Sequence, residues 1–151
     1  MNPMPVDTPS SPLSESERAH CAALARWLDA STVVGTLGLF AAAVAALWMT
    51  LGSTNDAIVT AAFALGLTPI ERYFALRLRF DRGLFADLGD GRFASFDALD
   101  AALFGLGLRR TVSPSRPLAD RIGGTLRLWR GHAIVVAAQV LLCLLAVALR
   151  L

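Results

Sequence analysis

"TVVGTLGLFAAAVAALWMTLG", residues 32–52, carries no charged side chain. At a helical rise of about 1.5 Å per residue its 21 positions extend roughly 31 Å, close to the thickness of a bilayer's hydrocarbon core. The run reads as a transmembrane helix. Thirty-one residues precede it, Asp7, Glu15, Glu17 and Asp29 among them, where a secretory signal would need a short basic leader. It is therefore expected to remain in the mature chain.

Composition points the same way. Hydrophobic residues make up 55% of the chain and charged residues only 17%, against about a quarter in ordinary soluble domains. Mean hydropathy is +0.55, and the apolar residues come in blocks rather than with an amphipathic period throughout. All fourteen basic residues are arginine, read as the compositional bias of a GC-rich bacterial genome. Cys21 and Cys143 fall in distant segments, so no disulfide is expected.

A second apolar run, "HAIVVAAQVLLCLLAVALRL" at 132–151, has Gln139 as its one strongly polar residue before Arg150, which can snorkel to headgroups or water. "DAIVTAAFALGLTPI" at 56–70 is the ambiguous segment. Its uncharged part, 57–70, gives about 21 Å of helix, which is short for a crossing. Tyr73 to Leu76 can extend it past Glu71 and Arg72, and Pro69 should kink the helix or restart it near the headgroups. A tight loop, "STND", ties it to the first span as a hairpin. A full crossing is expected; a re-entrant segment is the alternative.

Arginine placement sets orientation. Arg18 and Arg26 precede the first span, eleven arginines lie between Arg72 and Arg130, and only Arg150 follows. The positive-inside rule puts the N-terminus and the middle loop in the cytoplasm and the C-terminus outside, which requires three crossings. Trp27, Tyr73 and Trp129 then mark the inner boundary and Trp48 the outer one. The expected fold is an all-α integral membrane protein of the bacterial inner membrane, with three transmembrane helices and a small cytoplasmic helical layer between the second and third. Its parts are a disordered tail (1–13), a juxtamembrane amphipathic helix opened by a Ser14/Glu17 capping box (14–30), spans at 31–52, 55–76 and 131–151, and an arginine-rich helical loop (77–130).

Within that loop "ERYFALRLRFDRGLFADLGDGR", 71–92, reads as a helix. One broad face holds Ile70, Tyr73, Phe74, Leu76, Leu78, Phe80, Leu84, Phe85 and Leu88, and the other holds Glu71, Arg72, Arg79 and Arg82. Arg77 and Asp81 interrupt the apolar face four residues apart, close enough to pair. Asp90 and Gly91 mark a turn, and Ser95 caps a helix with Phe96, Leu99, Leu103 and Leu106 on one stripe. "TVSPSRP" is a linker, and Pro117 suits the start of another helix.

Chemical motifs are sparse. There is no phosphate-binding glycine loop, no paired Cys-x-x-Cys, no His-Glu-x-x-His and no Gly-x-Ser-x-Gly in the sequence. No catalytic, cofactor-binding or metal-ligating residue is assigned, no cofactor is expected, and nothing suggests nucleic acid. The polar residues worth following are Glu71 with Arg72 at the inner end of the second span and Arg77 with Asp81, read as interface and helix-surface ion pairs or as a polar knot where the loop folds back against the span ends, and Arg127 and Arg130 as headgroup contacts. His132 is taken as interfacial, and Gln139 as a hydrogen-bonding group to another helix. Gly38, Ala42 and Ala46 repeat every four residues and offer a smooth strip for helix packing, within the chain or in a homo-oligomer. The expectation is a non-enzymatic accessory or scaffold subunit whose cytoplasmic helices engage anionic lipid and a membrane or cytoplasmic protein partner. An oligomeric transporter or channel component, with Gln139 and Thr60 lining a path, is the alternative.

Overall fold

The computed structural model describes residues 12–51, 54–108 and 117–149. Of these 88% are helical and none is in a strand. The helices are α1 (Glu15–Leu51), α2 (Asn55–Gly66), α3 (Thr68–Gly89), α4 (Phe96–Gly105) and α5 (Leu118–Ala148).

α1 begins where the capping box places it. The Ser14 N–H donates to Glu17 Oε2 at 2.9 Å and the Glu17 N–H donates to Ser14 Oγ at 3.2 Å. The juxtamembrane helix leads into the first apolar run without a break, because α1 is continuous for 37 residues, about 55 Å. Nothing between Asp29 and Val33 breaks a helix. The Ser31 and Thr32 hydroxyls donate back to the carbonyls of Leu28 and Asp29, both at 2.6 Å. The N-terminal expectation needs correction at its edge. Residues 1–11 lie outside the described chain, but Leu13 is buried and its N–H donates to Ala94 O at 3.0 Å.

The segment at 55–76 is not one helix. α2 is capped by Thr54, whose hydroxyl accepts from the Ala57 N–H, and ends at Gly66; α3 restarts at Thr68 with Pro69 in its first turn. The break follows from proline, which has no N–H to give to the carbonyl four residues back and collides with it. α3 then continues straight through the expected boundary at 76 to Gly89. Among the described residues two helices, α1 and α5, are long and apolar enough to cross a membrane; α2, at 12 residues, is not.

α5 likewise merges parts expected to be separate, the end of the loop and the third span, into 31 residues starting just after Pro117. Gly123, Gly124 and Gly131 do not interrupt it. α4 starts as expected, with Ser95 Oγ accepting from the Ala98 N–H at 3.2 Å, but it ends at Gly105 and leaves Leu106 exposed, off the buried stripe. The turn before it uses Gly91 at φ +75°, a left-handed conformation that favours glycine. Most of "TVSPSRP" and Arg150 lie outside the described residues.

α1 and α5 run in the same direction, and α2 with α3 runs antiparallel between them. The register is marked by Asp29 with Arg82, Gly35 with Arg72, and a Trp27–Trp129 ring contact at 4.8 Å between centroids. The bundle has two cores. Cys21, Ala25, Leu28, Leu78, Phe85, Leu88 and Leu99 form one; Ala41, Ala45, Ala61, Ala64, Cys143 and Ala146 form the other. Both cysteines are free and sit in different cores.

Candidate functional site

Between the two cores lies a polar seam. Glu71, one turn into α3, is completely buried, and so are His132 and Gln139 on α5. Glu71 Oε1 accepts from Arg72 Nη2 at 2.6 Å and contacts His132 Nε2 at 2.9 Å, while its Oε2 accepts from Arg72 Nε. The same Arg72 Nη2 donates to the Gly35 carbonyl of α1 at 2.9 Å. One carboxylate thus ties α3 to α5 directly and to α1 through a guanidinium. With Glu71 ionised, the imidazole proton belongs on Nε2, which leaves the buried Nδ1 as an acceptor without a partner.

Glycine makes the room. A Cβ on Gly38 would stand 3.1 Å from Glu71 Cγ and Cδ, and one on Gly35 would stand 3.4 Å from Arg72 Nη2. The packing strip of α1 is therefore Gly35, Gly38, Ala41, Ala42 and Ala45. Gly38 and Ala42 belong to it as expected; Ala46 is exposed and does not. The period is 3.6 residues rather than four, so a strict i, i+4 count drifts off the face.

Next to this group Gln139 Nε2 donates to Thr68 Oγ1 at 3.0 Å, at the α2–α3 break. This is the inter-helix bond expected of Gln139, made within the chain. Its Oε1 is buried without a partner.

The Glu71–Arg72 pair forms, with the carboxylate buried and the Arg72 side chain 40% exposed, and His132, taken from the sequence as interfacial, is itself buried against Glu71. The wheel that set Glu71 opposite the apolar face is wrong. The buried side of α3 is Glu71, Leu78, Phe85 and Leu88, and Ile70, Tyr73, Leu76 and Phe80 point out.

Arg77 and Asp81 form a separate, looser pair at 3.8 Å, with the Arg77 side chain 51% exposed and lying over the Phe80 ring. Asp81 also accepts from Thr125 Oγ1 at 3.3 Å. Burial pushes the Asp81 carboxyl above its ordinary pKa, against the pull of Arg77 and Thr125. Burial likewise raises the Cys21 thiol. Arg127 and Arg130 are exposed on one flank of α5, Arg127 bonding back to the Gly123 carbonyl at 3.3 Å.

Sequence reasoning missed the Asp100–Arg121 pair at 2.7 Å, which pins α4 to α5 with Asp100 buried and Arg121 over the Phe96 ring. A signal existed: Asp100 falls on the same stripe as Phe96 and Leu103. Gly35 and Thr68, which accept from Arg72 and Gln139, carried no such signal.

Among the described residues no group of three or more His, Cys, Asp or Glu side chains is placed to share a metal ion. The seam's chemical capacity is cohesion: one buried carboxylate holds a guanidinium and an imidazole and so joins three helices. No family model, curated protein or solved structure matches the chain.

Proposed function

We propose that the chain is a small non-enzymatic protein of a bacterial inner membrane that crosses three times and serves as an accessory or scaffold subunit. Its N-terminus and arginine-bearing helices lie in the cytoplasm and its C-terminus outside. One observation carries this reading: along half of the bundle polarity is inverted. Glycine, alanine, Glu71, His132 and Gln139 face inward, while Val33, Leu37, Phe40, Phe63, Ile134, Leu141 and Leu144 face outward. In water that surface would be a large exposed apolar patch of the kind soluble monomers lack. In lipid it is the ordinary arrangement, with small residues at the helix contacts.

α2 and the first turns of α3 supply the remaining crossing together. Residues 54–76 make about 33 Å of nearly continuous helix. Above the apolar belt, Arg26, Arg79, Arg127 and Arg130 are exposed around the Trp27–Trp129 contact. That collar suits anionic headgroups of the inner leaflet, and the helices above it offer a surface to a partner.

The broken α2–α3 helix beside buried polar groups favours the second reading, a transporter or channel component, because transporters place their sites at such breaks. Against it, Gln139 is bonded to Thr68, and the Thr60 hydroxyl donates to Asp56 O at 2.7 Å in its own helix. Fusion reporters test the topology. Alkaline phosphatase at the C-terminus should be active and a fluorescent protein there dark; the reverse would mean that residues 54–76 do not cross. Mass photometry in mild detergent should give a monomer, or one copy beside another protein, whereas a closed ring would favour the transporter.

A further inference from the structure

A cleft of about 610 Å³ opens between α3, α4 and α5 on the side away from α1, within the range of about 300–1,000 Å³ usual for ligand sites. Its long wall runs from Tyr73 to Leu88 on α3, roughly 22 Å. Leu84, Leu99, Leu103 and Leu128 give it an apolar lining. Its charged side chains are Arg77, loosely paired with Asp81, Arg121 paired with Asp100, and the exposed Asp120.

Two features bear on the occupant. The first is the floor. Gly124 lines the cleft, and a Cβ there or on Gly123 would meet nothing within 4 Å. These glycines weaken α5 without allowing any helix to come closer, so what they preserve is open space. The second is the mouth. Tyr73 and Leu76, at one end of the long wall, are largely exposed and continue the outward apolar belt of the membrane half. Leu108 lines the cleft as well, and with Phe104 and Leu106 it leaves the end of α4 apolar and uncovered.

The geometry points to an acyl chain of an inner-leaflet phospholipid as the occupant. The chain enters past Tyr73 and Leu76 and lies along α3 toward Leu84 and Leu103, and its headgroup stays at the arginine collar. This rests on the membrane reading above and adds a lipid site to it, one that holds a hydrocarbon tail above the plane of the bilayer.

Phosphatidylglycerol carrying a diazirine on one acyl chain tests the site in phosphatidylcholine vesicles holding the full-length protein. After irradiation, labelled residues are mapped by mass spectrometry. Label is expected on cleft residues Leu84, Leu103 and Leu128 and on belt residues Phe40 and Ile134. Gly124→Leu, which fills the floor, should lose the cleft label and keep the belt label, and Gly124→Ala should keep both. Leu103→Trp fills the same space from the opposite wall and should act like Gly124→Leu. Belt label without cleft label, or cleft label that survives both filled variants, overturns the site and leaves the membrane reading standing. Absence of label from the belt overturns the membrane reading and the site with it.

Discussion

Where α1, α3 and α5 enclose Leu28, Leu78, Phe85 and Leu88, large apolar side chains point inward and arginines outward. Where α1, α2 and α5 enclose Ala41, Ala45, Ala61 and Ala64, alanines point inward, and Phe40, Phe63, Leu141 and Leu144 point outward. Two of the rods, α1 and α5, pass through both regions without interruption, so backbone geometry does not explain the difference. The solvent does. In water, apolar area drives association and large side chains go inside. In lipid that drive is absent, and helices associate by close backbone approach and internal polar bonds. The seam around Glu71 sits at the change-over and supplies those bonds.

The largest test of this contrast is Glu71→Ala, which leaves the Arg72 guanidinium and His132 without their shared carboxylate. Arg72 keeps the Gly35 carbonyl and is partly exposed, but the buried His132 loses its partner and a cavity opens beside Gly38, so denaturation in mixed micelles should show a marked loss of stability. The double variant with His132→Ala should lose less than the two single losses combined, because they share one interaction. Simple additivity would break the seam as a unit. Next comes a matched pair of truncations. Leu78→Ala, in the leucine-lined core, should cost about 2–5 kcal/mol, whereas Leu37→Ala, on the outward belt, should fall within about 0.5 kcal/mol of wild type in detergent. Equal costs would mean that Leu37 is covered by protein.

A smaller effect separates two positions of α1. Gly38→Val should cost about 1–3 kcal/mol by overpacking against Glu71, while Ala46→Val should be nearly neutral by the same measurement. The smallest concerns pH. Asp81 has a higher pKa folded than unfolded, so it binds its proton more tightly in the fold. Its favourable contribution is present at low pH and is lost as the pH rises through the raised value. Asp81→Asn should therefore raise the melting temperature at pH 7, leave it unchanged near pH 4, and flatten the profile between. A lower melting temperature at pH 7 would mean that the Arg77 pair outweighs burial.

Much of the local structure is legible in the residues. The Ser14/Glu17 box, the Ser95 cap, the Gly91 turn and the break at Pro69 each depend on neighbours within a few positions. Gln139 was legible too, since an amide among leucines needs a partner wherever it lies. The Glu71–His132 contact was not, because 61 positions separate the two and neither has a local cue. The wheel failed at Glu71 because a carboxylate can lie inside once Arg72 and His132 bond to it, and His132 is far away in sequence. The domain boundaries at 30, 76 and 131 fall inside single helices. They were drawn where polarity changes, and a helix has no cause to stop there unless glycine or proline gives it one.

The break at Pro69 bears on how the chain is made. α2, at 12 residues, is a poor substrate for independent insertion, and α3 brings Glu71 and Arg72 directly behind it. His132 and Gln139, which complete the seam, leave the ribosome some sixty to seventy residues later. Until then the Glu71 carboxylate has only Arg72, its neighbour on α3, whose guanidinium reaches the Gly35 carbonyl of α1; α5 is the last helix to join the bundle and the one that closes the seam.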